Sequence, residues 1–412
     1  MKRRHALSLA FTGLLASQSG CRRSERAAPA ATSPENAERE LEPVPEVPPE
    51  PAAPPQPLEG DALEPVNVDS SLVIRRIAGL RPFRPSGFVV RREDHDGKIL
   101  VHNYGHGGGG MTLSWGSSEL AVRLAGAVAG TRCAVIGGGV MGLSTARLLQ
   151  LRGAKVSLYT RDLPPHTTSN IAGAQVWPVS VFDRRTPEFA EQFIEASRIS
   201  FRLFQNLVGE RRGVRWIPNY YLSNRPPQNG WLSGPGAVLH DLQVGFRDFG
   251  PGEHRFPANF ARRFYTMLIE PATYLASLLD DVLAAGASLE IRDFSEAAEV
   301  FQLPEPVIFN CSGLGAARLF GDSELIPIKG HLSVLMPQPG VNYNLISGNS
   351  YMFPRSDGIL LGGTYERNQW NAEPDLATAN RLVEDHRTLF EAMKRVRSEA
   401  VTSGRTTPGE DQ

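Results

Sequence analysis

Apolar residues along this chain switch between two spacings. Arg132–Ile136 is a short apolar run of strand type. Val140–Leu151 carries apolar positions three and four apart and predicts a helix, and 155–159, after the break at Gly153, predicts a second strand. Strand, helix, strand in that order is the beginning of a βαβ unit. Farther on, Phe189, Phe193, Phe201, Leu203 and Leu207 mark a long amphipathic helix, and Pro271 opens another that closes at Gly286. Strand-like runs follow at Ser288–Ile291, 306–310 and 358–365. Leu120, Leu124 and Val128 are expected to share one face of a helix after Trp115. No fixed period repeats, which argues against a solenoid.

The two ends break this pattern. From Ala27 to Gly60 there are ten prolines, seven glutamates and no aromatic residue, so this stretch cannot bury enough apolar surface to offset the entropy of folding. It reads as an extended spacer, with the linker reaching about residue 65. Ahead of it, Lys2, Arg3 and Arg4, an apolar run from Ala6 to Ala16, and small residues at Ser19 and Gly20 stand in the order of an export signal. The run is too short for a membrane-spanning helix. Adjacent Arg3 and Arg4 suggest the twin-arginine route. Cys21 after Ser19-Gly20 looks like a lipoprotein attachment site, which would tether the protein in the cell envelope. Residues 398–412 are polar and read as a frayed tail.

With 412 residues the chain has room for about two domains. Its 43 Lys+Arg nearly balance 44 Asp+Glu, so charge gives no reason to expect nucleic acid and favours a small-molecule partner. Cys133 and Cys311 each lie inside an apolar strand-like run and read as buried small side chains.

The βαβ start holds the first candidate chemistry. Gly137, Gly139 and Gly142 form G-x-G-x-x-G between the strand and the helix, with Val140 and Met141 opening that helix. The first glycine permits a tight turn, the second lets backbone approach a pyrophosphate, and the third lets helix and strand pack closely. Phosphates then meet free N–H groups at a helix N-terminus. An acidic residue is expected at the end of the second strand for the ribose hydroxyls, and Asp162, after Arg161, stands 20 residues beyond Gly142. The motif alone does not choose between FAD and a nicotinamide.

A longer pattern makes that choice. His102-Asn103-Tyr104-Gly105-His106-Gly107-Gly108-Gly109-Gly110-Met111-Thr112, followed by Trp115-Gly116, resembles the signature of the D-amino-acid oxidase family, and Gly79-Leu80-Arg81-Pro82 with Arg84-Pro85 is similar to that family's G-x-R-P-x-R-P run. Thr167-Thr168-Ser169-Asn170, Trp177-Pro178, Asn310-Cys311-Ser312-Gly313 and Leu361-Gly362-Gly363-Thr364 agree. The resemblance spans roughly 79–370. It implies a Rossmann-like FAD-binding domain of α/β (α+β) type, in parts at about 100–180 and 300–335. A second, mainly β-sheet substrate domain would use about 181–295 and 328–370, plus 70–100. In the family the dinucleotide motif opens the chain, whereas here the arginine run and the glycine signature precede it. That order amounts to a circular permutation, with new ends near Leu72 and Ala400, acceptable where the original ends lie together at the surface.

What the resemblance implies for chemistry is oxidation of a D-amino acid by FAD, with oxygen as acceptor. A glycine or sarcosine oxidase, a D-aspartate oxidase, a quinone-linked dehydrogenase and a non-catalytic surface lipoprotein stay open as alternatives, as does a homodimer. Arg81 would hold the substrate carboxylate, since a guanidinium can bind both oxygens. The carbonyl of Gly108 would accept from the substrate amine. Gly107, Gly108, Gly110, Met111 and Thr112 would surround the flavin ring and ribityl chain. Thr167, Thr168, Ser169, Ser312 and Gly313 would join Arg161 and Asp162 around the rest of FAD. A tyrosine often assists the arginine; Tyr265 is the nearest by position, while Tyr220 and Tyr221 suit a covering loop. Gly109 replaces a tyrosine found in many D-amino-acid oxidases, which leaves side-chain preference open.

Overall fold

The βαβ unit forms where the spacing places it. A computed structural model describes residues 63–402. The export segment, Cys21 and the spacer as far as 62 lie outside the described residues, as does the tail beyond 402. The linker was expected to reach 65, but Leu63 and Val66 are already buried, packed with Tyr343, Phe390 and Met393 in one apolar cluster.

The described chain begins with β1 (Val73–Phe83), β2 (Val89–His95), β3 (Lys98–Tyr104) and helix α1 (Gly110–Ala125). The βαβ unit follows as β4 (Arg132–Ile136), α2 (Val140–Leu151) and β5 (Lys155–Thr160). Next come α3 (Pro187–Asn206), β6 (Val214–Ser223), β7 (Val244–Phe249), β8 (Phe260–Ile269) and α4 (Pro271–Ala284). Then the chain forms β9 (Ser288–Ile291), α5 (Ala297–Phe301), β10 (Val307–Asn310), α6 (Gly315–Phe320) and β11 (Ile326–Leu335). It closes with β12 (Asn344–Ser347), β13 (Ser350–Arg355), β14 (Gly358–Gly362), β15 (Glu366–Arg367) and α7 (Leu376–Thr402). Local chemistry sets the helix starts. Thr186 accepts from Phe189 N–H ahead of α3, and α3 and α4 each carry proline in the first turn, where its missing N–H costs nothing.

Two sheets result. The smaller runs β2-β3-β10-β4-β5-β9, with β3, β10, β4, β5 and β9 parallel and β2 antiparallel on the edge. Its parallel strands end on one side, so the loops after β3, β4, β5 and β10 share that side, where ligands of open α/β sheets bind. The larger sheet runs β1-β11-β14-β13-β12-β6-β8-β7, with β15 added on β11. Of the four crossings between sheets, β1 to β2, β5 to β6, β8 to β9 and β10 to β11, the first and the last pass through 84–88 and 321–325. The two crossings are tied together: Arg84 pairs with Asp322 at 2.7 Å and Glu324 at 2.9 Å, Ser86 donates to Glu324, and the Tyr104 hydroxyl donates to Asp322 at 2.8 Å.

Three expectations change. The strand expected at 358–365 stops at Gly362, and the Tyr351 ring lies against Gly362 and Gly363, leaving no room for side chains there. The helix after Trp115 ends at Ala125, where Gly126 turns at φ +79°. Val128 therefore falls outside it, and Leu124 is exposed while Leu113, Ala121, Val122 and Ala125 are buried on a helix that packs against α2 and α3. α7 continues to Thr402, beyond the expected start of the polar tail. Cys133 and Cys311 are buried free thiols, and burial pushes Cys311 up to about 12.

Candidate active site

The three glycines after β4 differ in what they do. Gly137 sits at φ +116°, and a Cβ there would come within 2.4 Å of the Cys311 carbonyl, so the turn passes directly over the end of β10. A Cβ on Gly142 would lie 1.8 Å from the Gly137 carbonyl, which makes it the close-packing glycine of the helix. Gly142 does not line the cavity beside this turn, whereas Gly137, Gly139, Val140 and Met141 do. Val140 N–H donates to Ser169 Oγ at 3.0 Å, and Gly138 N–H to Thr160 Oγ1 at 2.7 Å, which fixes the loop to the end of β5. Arg161, Asp162, Thr167, Thr168 and Ser169 line the same cavity, with Arg161 and Asp162 paired at 2.8 Å on its exposed rim. Ser312 and Gly313, after β10, complete this end.

The glycine signature divides into a clamp and a cradle. Asn310 Nδ2 donates to His102 Nδ1 at 3.0 Å, joining β3 to β10, and Asn103 Nδ2 donates to Ser118 Oγ and Thr145 Oγ1, joining β3 to α1 and α2. His106 is fully buried and stacks on Phe88 at 4.6 Å; neither ring nitrogen has a partner, and burial pushes its pKa down to about 3. The imidazole is neutral in the fold. Gly107 turns at φ +56°, and Gly108 N–H donates to the Ser180 carbonyl at 2.9 Å. Gly107, Gly108, Gly110, Met111 and Thr112 all line the cavity, and Thr112 Oγ1 is held by the Gln175 carbonyl at 2.9 Å.

Arg81 forms the facing wall. It lies on β1, opposite Ile328 of β11, and its guanidinium rests over Gly330, where a Cβ would come within 2.4 Å of it. Nη1 donates to the Thr364 carbonyl at 3.2 Å, and Nη2 stands 3.5 Å from the Tyr351 hydroxyl. Among the described residues Arg81 has no carboxylate partner. A guanidinium in a cavity without an anion is poised to bind one.

The tyrosine expectation is corrected here. Tyr265 is buried, does not line the cavity, and packs against Gly245 of β7 and Arg263 of its own strand β8. Its position on the strand turns it away from Arg81. Tyr351 occupies that place, delivered by the hairpin of β12 and β13 and supported by Phe353 stacked at 4.9 Å. Tyr221 lines the cavity, while Tyr220 belongs to the opposite face among Phe256 and Tyr343. The one signal for Tyr351 was its place in an alternating run after the turn at Gly348-Asn349.

Glycine cradle, Arg81 and Tyr351 thus border one cavity of about 1090 Å3, just above the range of about 300–1,000 Å3 for ligand pockets. The sequence model of the DAO family, described as FAD dependent oxidoreductase, matches residues 132–411. The chain belongs to this family. Within it, the chain is 33% identical over 259 residues to a D-amino-acid oxidase of Rubrobacter xylanophilus, covering 61% of this chain and 75% of the relative. It is 30% identical over 264 residues to a D-amino-acid oxidase of Streptomyces coelicolor, covering 60% and 74%. Among solved structures, glycine oxidase of Geobacillus kaustophilus aligns at a TM-score of 0.49 and 17% identity over 64% of this chain and 80% of that one. FAD is the cofactor of this DAO-family protein, and the cradle suits it: Gly137 and Gly107 hold conformations that side chains resist, and their neighbours leave backbone as the cavity wall. β1, β2, β3 and α1, which carry Arg81 and the glycine signature, precede the matched region.

Proposed function

We propose that the protein oxidises a D-amino acid at Cα: the amino acid, oxygen and water give a 2-oxo acid, ammonia and hydrogen peroxide. The observation that carries this reading is Arg81, a cation without an acidic partner among the described residues, on one wall of the cavity whose other wall is the FAD cradle. FAD bound there supplies the two-electron acceptor. The chain's own part is orientation. Arg81 takes both carboxylate oxygens with the Tyr351 hydroxyl beside it, and the Gly108 carbonyl accepts from the amine. With carboxylate and amine fixed and the side chain directed toward Tyr221 and Ile346, one direction is left for the Cα hydrogen. The opposite enantiomer exchanges hydrogen and side chain, so handedness follows from three points of attachment. The two bacterial relatives named as D-amino-acid oxidases support this assignment.

The full chain, purified with FAD, is expected to lose its visible flavin absorbance without air when a D-amino acid is added, and to keep it with the L form. Readmitting air is expected to restore the colour and release hydrogen peroxide. Bleaching by L-amino acids, or only by glycine or sarcosine, would contradict the reading.

We also propose that the chain order is a rotation of the family's. The observation in its favour is that the described N-terminal stretch lies against the last helix. Arg397 of α7 donates to the Leu63 carbonyl, and Tyr343 Oη donates to the Glu64 carbonyl at 2.8 Å in the same cluster. A rearranged chain opening near Gly130, with 402 joined to 63 by a short flexible linker and ending near Gly126, should fold and hold FAD. Failure of that chain to bind the flavin would remove the proposal.

A further inference from the structure

One buried imidazole holds both ends of a segment that lines the cavity beside Arg81. His331 of β11 is 1% exposed and does not itself line the cavity. At the near end Thr364 Oγ1 accepts from His331 N–H at 2.8 Å and lies 3.2 Å from Nδ1. At the far end, just ahead of α7, Asp375 N–H donates to Nε2 at 3.0 Å. A backbone N–H only donates, so Nε2 is the bare nitrogen and Nδ1 carries the hydrogen. Its acceptors are Thr364 Oγ1 and the Glu366 carboxylate, each 3.2 Å away. Burial pushes the pKa of the imidazole down, against Glu366 and Asp375 and together with Lys329, which keeps the ring neutral at pH 7.

The segment between those ends faces the cavity. Thr364, Tyr365, Trp370 and Ala372 line it, and the Thr364 carbonyl takes the hydrogen bond from Arg81 Nη1. Tyr365 and Trp370, at 44% and 59%, are the exposed aromatic residues among those described, and both stand on this cavity. As far as Asn368 the segment is tied elsewhere: Arg367 pairs with Asp183 at 2.7 Å, and Asn368 N–H donates to the Pro327 carbonyl at 2.9 Å. From there, among the described residues, its next hydrogen bond to another part of the chain is the one at His331 Nε2. The stretch that carries Trp370 therefore depends on that ring for its placement, while the other ring nitrogen steadies the residue on which Arg81 leans.

We infer that His331 is a positioning residue: it clasps the Trp370 stretch to the sheet and, through Thr364, steadies Arg81 for the substrate carboxylate. This rests on the proposed oxidation at Cα. Because the ring touches no reacting atom, its loss should show in substrate binding and not in flavin content or turnover. The probe is whichever D-amino acid bleaches the wild-type flavin fastest, used with the full chain and FAD. His331→Leu is expected to raise its KM by about tenfold with kcat within about twofold, since the hydrogen bonds removed serve ground state and transition state alike. His331→Gln, whose amide again offers an acceptor and a donor, should recover most of that loss. Thr364→Val removes the contact from the other side and should raise KM alike, and both changes together should do little more than either alone. Unchanged KM in His331→Leu would overturn the inference. So would a defect that His331→Gln does not restore and that lowers kcat and flavin content together, because the ring would then serve folding alone. Should His331→Leu fail to fold, Thr364→Val decides, a raised KM supporting the clasp and an unchanged one overturning it. If no D-amino acid bleaches the wild-type flavin, it is the oxidation reading that falls.

Discussion

Replacing Arg81 with leucine is expected to lower kcat/KM for the amino-acid substrate by about 10²–10³-fold while the protein still purifies yellow. Removing one partner of a buried, hydrogen-bonded charge pair costs about 2–5 kcal/mol, and about 1.4 kcal/mol is a factor of ten. Arg81 is placed to make such a pair with the carboxylate, and among the described residues its guanidinium has hydrogen-bond contacts only with the Thr364 carbonyl and the Tyr351 hydroxyl. Its loss therefore strips no contact from the glycine cradle. Arg81→Lys should recover part of the loss, since an ammonium restores charge but not the two-pronged geometry. Steady-state kinetics beside a flavin-to-protein absorbance ratio separates the cases. Unchanged turnover in Arg81→Leu would mean that the carboxylate is held elsewhere.

The second large effect concerns the cradle, where two neighbouring glycines should fail in different ways. Gly139 has an ordinary extended backbone, φ −80° and ψ −176°, and the nearest atom to an added Cβ is Ser169 Oγ at 3.2 Å. Gly139→Val should fold but fill the space where the pyrophosphate approaches the helix N-terminus, raising the Kd for FAD by about 100-fold or more, or about 3 kcal/mol. Gly142→Ala presses a methyl group into the Gly137 carbonyl at 1.8 Å and should destabilise the fold itself, by about 1–3 kcal/mol. Titration by flavin fluorescence and thermal unfolding of the apoprotein distinguish the two. A Gly139→Val protein that binds FAD normally would show that the phosphates do not lie on this turn.

The parallel half of the molecule was legible because its signals are local. Each strand end, turn glycine and helix start is a run of neighbouring residues, and the ends of β4, α2 and β9 fall where the spacing puts them. The wall facing it was legible only in part: Arg81 stood in a recognisable run and Tyr221 was a candidate, but Ile346 and Tyr351 were neither. Arg81, Tyr221 and the Ile346–Tyr351 hairpin come from three places far apart in the chain, and Ile346 and Tyr351 sit in an alternating run that any half-buried strand would show. Tyr265 and Tyr351 are alike at that level, both aromatic residues within strands. Only the register, which pairs Tyr351 with Gly362 and Tyr265 with Pro218, decides which of them meets the arginine. The signature residues His102 and Asn103 were legible as a pattern, but their clamping role rests on Asn310, Ser118 and Thr145, which nothing local connects to them.

The knot of Arg84, Asp322, Glu324, Ser86 and Tyr104 lies where two of the four chain crossings pass from one sheet to the other. Swinging the layers apart about that joint would trade partly buried ion pairs for water, so the knot works as a bolt and not as a hinge. The span from guanidinium to cradle is then set before any substrate arrives, and little of the binding energy is spent on closing the molecule around it.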